Sequence, residues 1–586
     1  MERKFKLSAA LTSILLVTAC GADKSDELAT ISETPDGEMA EASAPAVPTA
    51  RFSNFIYEGR DPVFAANKPE ADEYQNPILA GFYPDPSLTR AGSDYYLVNS
   101  TFAYYPGIPV LHSTDLINWT QIGNVIDRPD MLDFDGLGLS RGVFAPTIEY
   151  HEGTFYVANT CVDCGGNFIV TATDPAGPWS DPIWLPEVGG IDPSVFFDED
   201  GKVYVMNNDA PPGEPLYEGH RAIWLREVDP KTFQSIAEPT LLINGGVRIE
   251  EKPVWIEGPH IYKIGDWYYL SAAEGGTAVN HSQVVLRADN VLGPYEAYEG
   301  NPIMTQRHLP ADRENPITSV GHADIAQDDA GNWWATFLGV RPYEGDYYNT
   351  GRETFLMPVR WEDGWPLIVT GDEEVKYKAQ RPELPLSSRS NVPLNGNFTL
   401  TEDFSSGELP PHWMTLRVPK EQWYDFADGD VIITARADRL GEGGQPSLIA
   451  RRQQHIYATA TTTVTFNPVQ SGDEAGLAVL QSDDYFYALG LNSMGDGTFA
   501  VTVRQKAGAE ENPYGEVVAE QSVDMSSGEP LDLRITADGD AYDFFYRLPD
   551  GEWQMLLDDA DGKILSTRTA GGFVGATFGL YAETSE

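Results

Sequence analysis

The 586-residue chain is poor in cysteine and in basic side chains, and it lacks long apolar runs. Three cysteines are too few for the disulfide framework of a small secreted scaffold. Beyond the first twenty residues no apolar stretch approaches the roughly 20 residues that a membrane-spanning helix needs. With 39 Lys and Arg against 89 Asp and Glu, the formal net charge is −50. Such a surface repels phosphates, which excludes a nucleic-acid partner and favours neutral or cationic ones. Helix-period stretches are scarce as well, so an α or α/β architecture is not expected.

What is present begins with a leader. Arg3, Lys4 and Lys6 precede an apolar run from Leu7 to Val17, followed by Val17-Thr18-Ala19-Cys20. A basic n-region, a short apolar region and small residues at a cleavage point form an export signal. The last four resemble a bacterial lipobox. That implies removal of residues 1–19 and a lipid on Cys20, so that the protein meets a membrane only through this anchor, facing the periplasm or the cell surface. Residues 20–50, rich in Ala, Ser, Thr, Pro and acid, read as a disordered tether. Residues 51–73 read as an N-terminal extension. Cys161 and Cys164, in CVDCGG, form one C-x-x-C, which without a second pair is a weak zinc signal. In an exported protein they are either a small-loop disulfide or two free thiols.

Strand patterns dominate the rest. A Gly/Asp turn followed by an aromatic strand recurs as GSDYYLV at Gly92, EGTFYV at Glu152, DGKVYV at Asp200, GDWYYL at Gly265 and GNWWA at Gly331. Aligned, the aromatic positions are Tyr96, Tyr156, Tyr204, Tyr268 and Trp334, about 60, 48, 64 and 66 residues apart. DLINW at Asp115, DPAGPW at Asp174 and DNVLGPY at Asp289 read as outer hairpins of the same units. Five antiparallel units over about 300 residues predict a five-bladed β-propeller across residues 74–370. A linear solenoid would want a shorter period and capping units.

The repeat also sets a phase. Asp85 of YPDPS lies 11 residues before Tyr96, and Asp192 of IDPSV lies 12 before Tyr204. Pro146, Glu257 and His322 stand 10, 11 and 12 residues before Tyr156, Tyr268 and Trp334. Equivalent positions of a propeller converge on its axis, so three acids and a histidine are expected in one pocket. Crowded carboxylates repel, and at least one keeps its proton near neutral pH. A protonated acid beside an ionised carboxylate suits hydrolysis of a glycosidic bond. Glu257, in the apolar stretch VWIEGPHIY, is the candidate acid, and Asp85, stiffened by Pro84 and Pro86, the candidate base. Asp192 would act on Glu257 through charge. Taken singly, each Asp-Pro-Ser is an ordinary turn; the shared phase gives the set its meaning.

AGFYPDPS, APTIEYHEGTFYV, GGIDPSVFFDEDGKVYV, WIEGPHIYKIGDWYYL with EGGT after it, GHADIAQ and GRETFLMPV resemble, in this order, glycoside hydrolase family 43, from about Asn76 to Val369. They are closest to its β-xylosidase and α-L-arabinofuranosidase branch. The resemblance implies an inverting hydrolase acting on oligosaccharide ends, with Asp85 as base, Glu257 as acid and Asp192 tuning and orienting the acid. It places Arg352 on sugar hydroxyls, Thr277 in the substrate site and His322 on the channel floor, near a bound calcium ion or its waters in some members; no cofactor is required. Phe102, Phe144 and Tyr105, beside Tyr104, are expected to line the sugar subsite. Phe144 stands where the family often has Trp, and the two tyrosines where Trp or Phe is frequent in xylosidases, which leaves xylose or arabinose open.

Residues 371–398 read as a Pro- and Ser-rich linker, and 399–586 as a second all-β domain. DDYFYALGL and FGLYA in it resemble the concanavalin-like β-sandwich of many family members. Two rivals stand beside this reading: a retaining fructan-type hydrolase, and a non-catalytic sugar-binding lipoprotein.

Overall fold

The structure, a computed structural model, describes residues 47–388 and 390–585. The signal, the lipidation position Cys20 and most of the tether lie outside them. None of the described helices is long and apolar enough to cross a membrane.

Five antiparallel sheets, each built on four consecutive strands, follow one another through residues 87–126, 147–184, 191–244, 257–297 and 318–367; the second and fourth carry a fifth short strand, Gly142–Val143 and Met304–Thr305. Their first strands are Ser87–Ala91, Thr147–His151, Ile191–Phe197, Glu257–Ile264 and Thr318–Gln327. Each packs against the next, and the last returns to the first. The turn into each second strand uses the glycine of the repeat: Gly92, Gly153, Gly201, Gly265 and Gly331 all have φ between 59° and 88°. Tight hairpins demand such left-handed backbone, and glycine adopts it without a β-carbon clash. The recurrent Gly/Asp turns therefore read out the blade hairpins. The segment before the first blade closes the ring: the Asn76 side chain accepts from Leu356 N at 3.0 Å and donates to Leu356 O at 2.9 Å.

The second domain is a sandwich of two eight-stranded sheets. Its boundaries differ from the sequence reading. Thr49–Gly59, read as the end of a tether and an extension, is a strand of the sandwich, paired with Asp430–Thr434 and Tyr457–Asn467. TARFSNFIYEG alternates as a half-buried strand, with Ala50, Phe52, Phe55 and Tyr57 fully buried. The register shift between Phe52 and Phe55 keeps both pairs facing inward. Its partners lie hundreds of residues away, which local sequence does not reveal. Residues 371–398 also do more than link: Lys378–Gln380 pairs with Glu73–Gln75, and Leu384 and Leu394 are buried.

Phe55 packs edge-on against Trp413, with ring centroids 4.9 Å apart, inside the sandwich core. Phe55→Ala is expected to cost about 3–5 kcal/mol, read as a lowered denaturant midpoint.

Candidate active site

Four of the five blades start with the same irregularity. Ser87, Thr147, Ser194, His260 and Asp324 pair with Val98, Ala158, Met206, Ser271 and Thr336. Two places upstream of them stand Asp85, Ala145, Asp192, Gly258 and His322. Four of these are left-handed: Asp85 at φ 52°, Asp192 at 55°, Gly258 at 56° and His322 at 54°. The ladder is interrupted there, and the side chains turn out of the sheet, as at a bulge. The phase expected from sequence thus holds for Asp85, Asp192 and His322. It is one residue off in two blades, where Ala145 replaces Pro146 and Gly258 replaces Glu257. In the fourth blade the aromatic equivalent is Tyr269, opposite Tyr262, rather than Tyr268. Glu257 reaches in from the neighbouring position. Gly258 must stay small, because a β-carbon on it would lie 2.8 Å from the His322 ring.

These residues line one cavity of about 550 Å³. Asp85, Asp192 and Glu257 are 4 %, 4 % and 7 % exposed, so all three carboxyls lie in a nearly dry floor. Arg352 donates to both oxygens of Asp85, at 2.9 and 3.4 Å, and the Ser100 hydroxyl donates to Oδ2 at 2.6 Å. Asp192 accepts from the backbone N–H of Gly258 at 3.1 Å, gripping the peptide that follows Glu257. Asn208 donates to the carbonyl of Ile256 and accepts from Arg221, which braces the other side of Glu257.

Charge separates the three acids. Burial holds the Glu257 carboxyl well above its usual range, and the negative charges of Asp192 and Asp85 add to the rise. Burial also raises Asp192, with Asp85 the second cause. Asp85 has a guanidinium in contact, and the other two do not. Burial pulls His322 and His281 down to about 4, so both imidazoles are neutral near neutral pH. His281 Nδ1 faces the Ser319 carbonyl at 3.0 Å, which leaves Nε2, without a partner among the described residues, as an acceptor in the cavity. The arrangement offers a proton at Glu257, a carboxylate at Asp85 and polar groups for hydroxyls between them.

Phe102, Phe144, Thr277 and Arg352 line the cavity. Tyr105 does not. Its hydroxyl donates to the Asp127 carbonyl, and Tyr104–Tyr105 extends a sandwich sheet by pairing with Met414–Leu416. The aromatic place beside the sugar site is taken instead by Phe573, from the second domain. Its ring lies 5.8 Å from Phe102 and 5.7 Å from Phe144, and the Arg352 guanidinium stands 5.3 Å from its centre. The Phe573 N–H donates to Ser140 Oγ at 2.8 Å, fixing the loop to the propeller. Nothing in GGFVG signals this role. Trp255 and Arg141, which also line the cavity, flank Glu257 and Phe144 closely enough for the repeat to have pointed to them.

Cys161 and Cys164 form a disulfide, and Val162 between them lines the cavity wall. Among the described residues no group of three or more His, Cys, Asp or Glu side chains could hold a metal. Calcium takes six to eight oxygen ligands, whereas the carboxylate nearest His322, Asp85 at 4.0 Å, is occupied by Arg352. Among the described residues, side-chain carboxylates alone do not form a calcium site at His322.

Residues 74–366 match the family described as Glycosyl hydrolases family 43, and residues 401–586 match the Beta xylosidase C-terminal Concanavalin A-like domain. A xylosidase/arabinosidase of Butyrivibrio fibrisolvens is 36% identical, over 87% of this chain and 96% of its own length. A non-reducing end α-L-arabinofuranosidase of Bacteroides ovatus is also 36% identical, over 87% and 91%. Among solved structures, a GH43_12 protein retrieved from a capybara gut metagenome is 42% identical with a TM-score of 0.86, covering 92% of this chain and 100% of its own.

Glu257 titrates high in the folded protein, so its burial is tolerated at low pH and turns unfavourable as pH rises through its raised value. Glu257→Gln removes that liability. The expected outcome is a gain in melting temperature at about pH 8, of about 2 °C or more, shrinking towards about pH 5, measured by calorimetry.

Proposed function

Because the chain belongs to glycosyl hydrolase family 43, we propose that it is an exo-acting, inverting glycosidase that releases pentose from the ends of xylan- or arabinoxylan-derived oligosaccharides, with β-1,4-xylosidase as the first reading. The observation that carries this is the division of charge on the cavity floor. Glu257 is dry and crowded by like charge, so it holds a proton; Asp85 is gripped by Arg352, so it is ionised. In the reaction Asp85 takes a proton from a water as that water attacks the anomeric carbon. Glu257 gives its proton to the glycosidic oxygen as the bond to carbon breaks. The configuration inverts; Asp85 then releases its proton to solvent and Glu257 takes one up, which restores the starting state. Asp192 is a positioning residue: it touches neither water nor leaving group, holds the Gly258 N–H and keeps the Glu257 proton in place by charge.

A cavity walled on one side by Phe573 suits a chain end rather than a polymer threaded through. α-L-Arabinofuranosidase is the second reading, favoured by the Bacteroides ovatus relative, whose identity to this chain equals that of the Butyrivibrio protein. The basic and apolar leader ending in Cys20 supports a place of action outside the cytoplasm, on a lipid anchor.

Asp85→Asn and Glu257→Gln are each expected to lower kcat by about 10²–10⁴-fold on aryl β-xyloside or α-arabinofuranoside, with far-UV circular dichroism unchanged. NMR of the wild-type product should show the anomer opposite to the substrate's. Asp192→Asn should lower kcat and move the alkaline limb of the pH profile to lower pH, because a charge that raises Glu257 is gone. A retained configuration, or near-normal rates in Asp85→Asn, would reject the mechanism. The anchor has its own check: radiolabelled palmitate should label the expressed wild type and not Cys20→Ala, and equal labelling would refute it.

A further inference from the structure

We infer that Asp324, on the inner strand of the fifth blade, is a positioning residue that sets the gap between the acid and the base. The inference rests on the acid and base assigned above. The fifth blade stands between the first, whose start carries Asp85, and the fourth, whose start carries Glu257. Its inner strand, Thr318–Gln327, packs against the inner strands of both. It supplies neither proton of the reaction, so what it contributes is spacing.

Asp324 is buried, 3 % exposed. Towards the first blade, its Oδ2 accepts from the Ser87 hydroxyl and from the Leu88 N–H, each at 2.8 Å. Ser87 stands two residues past Asp85, where the strand joins its ladder. Towards the fourth blade, Oδ1 accepts from the Tyr262 hydroxyl at 2.6 Å, and His260 Nδ1 stands 3.8 Å away. Both residues lie on the strand that Glu257 begins, Glu257–Ile264. Tyr262 Oη in turn accepts from the Ile325 N–H at 3.2 Å, which ties that strand to the fifth blade a second time. His322, two residues before Asp324, fills the space between the same neighbours. Its Nδ1 is 4.0 Å from Asp85 Oδ1, and its ring leaves no room for a β-carbon on Gly258.

Two other junctions are built more lightly at the same level of their blades. Thr147 Oγ1 donates to the Pro193 carbonyl at 3.0 Å, and Ser194 Oγ to the Pro259 carbonyl at 2.5 Å. Each is one bond between neutral groups. Asp324 gathers three donors from two blades on one carboxylate, and bonds to a charged acceptor are roughly twice as strong as neutral ones. An amide in its place would offer a single accepting oxygen and turn two protons of its own towards donors. Inversion needs the two working carboxyls held about 6.5–9.5 Å apart, and a misplacement of about 1 Å can cost about 100-fold in rate. The Asp324 clamp is where that separation is fixed.

The test separates the two arms of the clamp by leaving group, in the full chain. Ser87→Ala loosens the base side, and the attacking water must be activated whatever leaves. It should lower kcat by about tenfold or more on both xylobiose and β-xylosyl fluoride. Tyr262→Phe loosens the acid side, which fluoride, departing without a proton, does not need. It should lower kcat by about tenfold or more on xylobiose and by less than about threefold on the fluoride, with KM within about threefold on either. In crystals, Asp324→Asn, or Ser87→Ala should the former not fold, should change the separation of the Asp85 and Glu257 carboxyls by about 0.5 Å or more. Equal losses on the two substrates in Tyr262→Phe, as a loosened fold alone would give, would overturn the inference. So would an unchanged carboxyl separation, whichever substrates the protein takes; a wild type inert on both substrates would count against the xylosidase reading instead.

Discussion

Three carboxyls share one buried floor, and Arg352 is the guanidinium in contact with them, claimed by Asp85. Full ionisation of all three in so dry a place is unfavourable, so the site settles into unequal states. Asp85 has the ion pair and the Ser100 hydroxyl and carries charge. Glu257 has neither and keeps a proton. Asp192, tied to the Gly258 N–H, transmits negative charge to Glu257 without entering the reaction. The division of labour between acid and base follows from which carboxyl the arginine reaches.

Holding like charges together requires a stiff frame. The propeller supplies it by delivering the same bulged position from successive inner strands to one axis, and the left-handed backbone at Asp85, Asp192 and His322 aims each side chain inward. The sandwich completes it. Phe573 closes the aromatic corner with Phe102 and Phe144. Thr49–Gly59 and Tyr104–Tyr105 each pair with sandwich strands far along the chain, so the two domains are joined through backbone as well as side chains.

Much of this could be read before any coordinates, where the signal was local and repeated. The glycine turns marked the blades because each hairpin needs the same positive φ, and the twin Asp-Pro-Ser marked the axis because both blades bend at the same place. Glu257 was found although its phase was taken one residue off, since the bulge at Gly258 shifts the ladder without changing the motif. Phe573, the sandwich strand Thr49–Gly59 and the true place of Tyr105 were out of reach. Each depends on a partner more than 200 residues distant, and an alternating strand or a Gly-Gly-Phe loop looks the same wherever it docks.

The partition of protons is open to direct observation. Protein labelled with carbon-13 at glutamate side-chain carboxyls, compared with Glu257→Gln, isolates the signal of this one group by NMR. A shift of the neutral acid at near-neutral pH, moving to the ionised value only in alkaline solution, is what the charge distribution on the floor requires. A Glu257 signal already ionised at mildly acidic pH would contradict it.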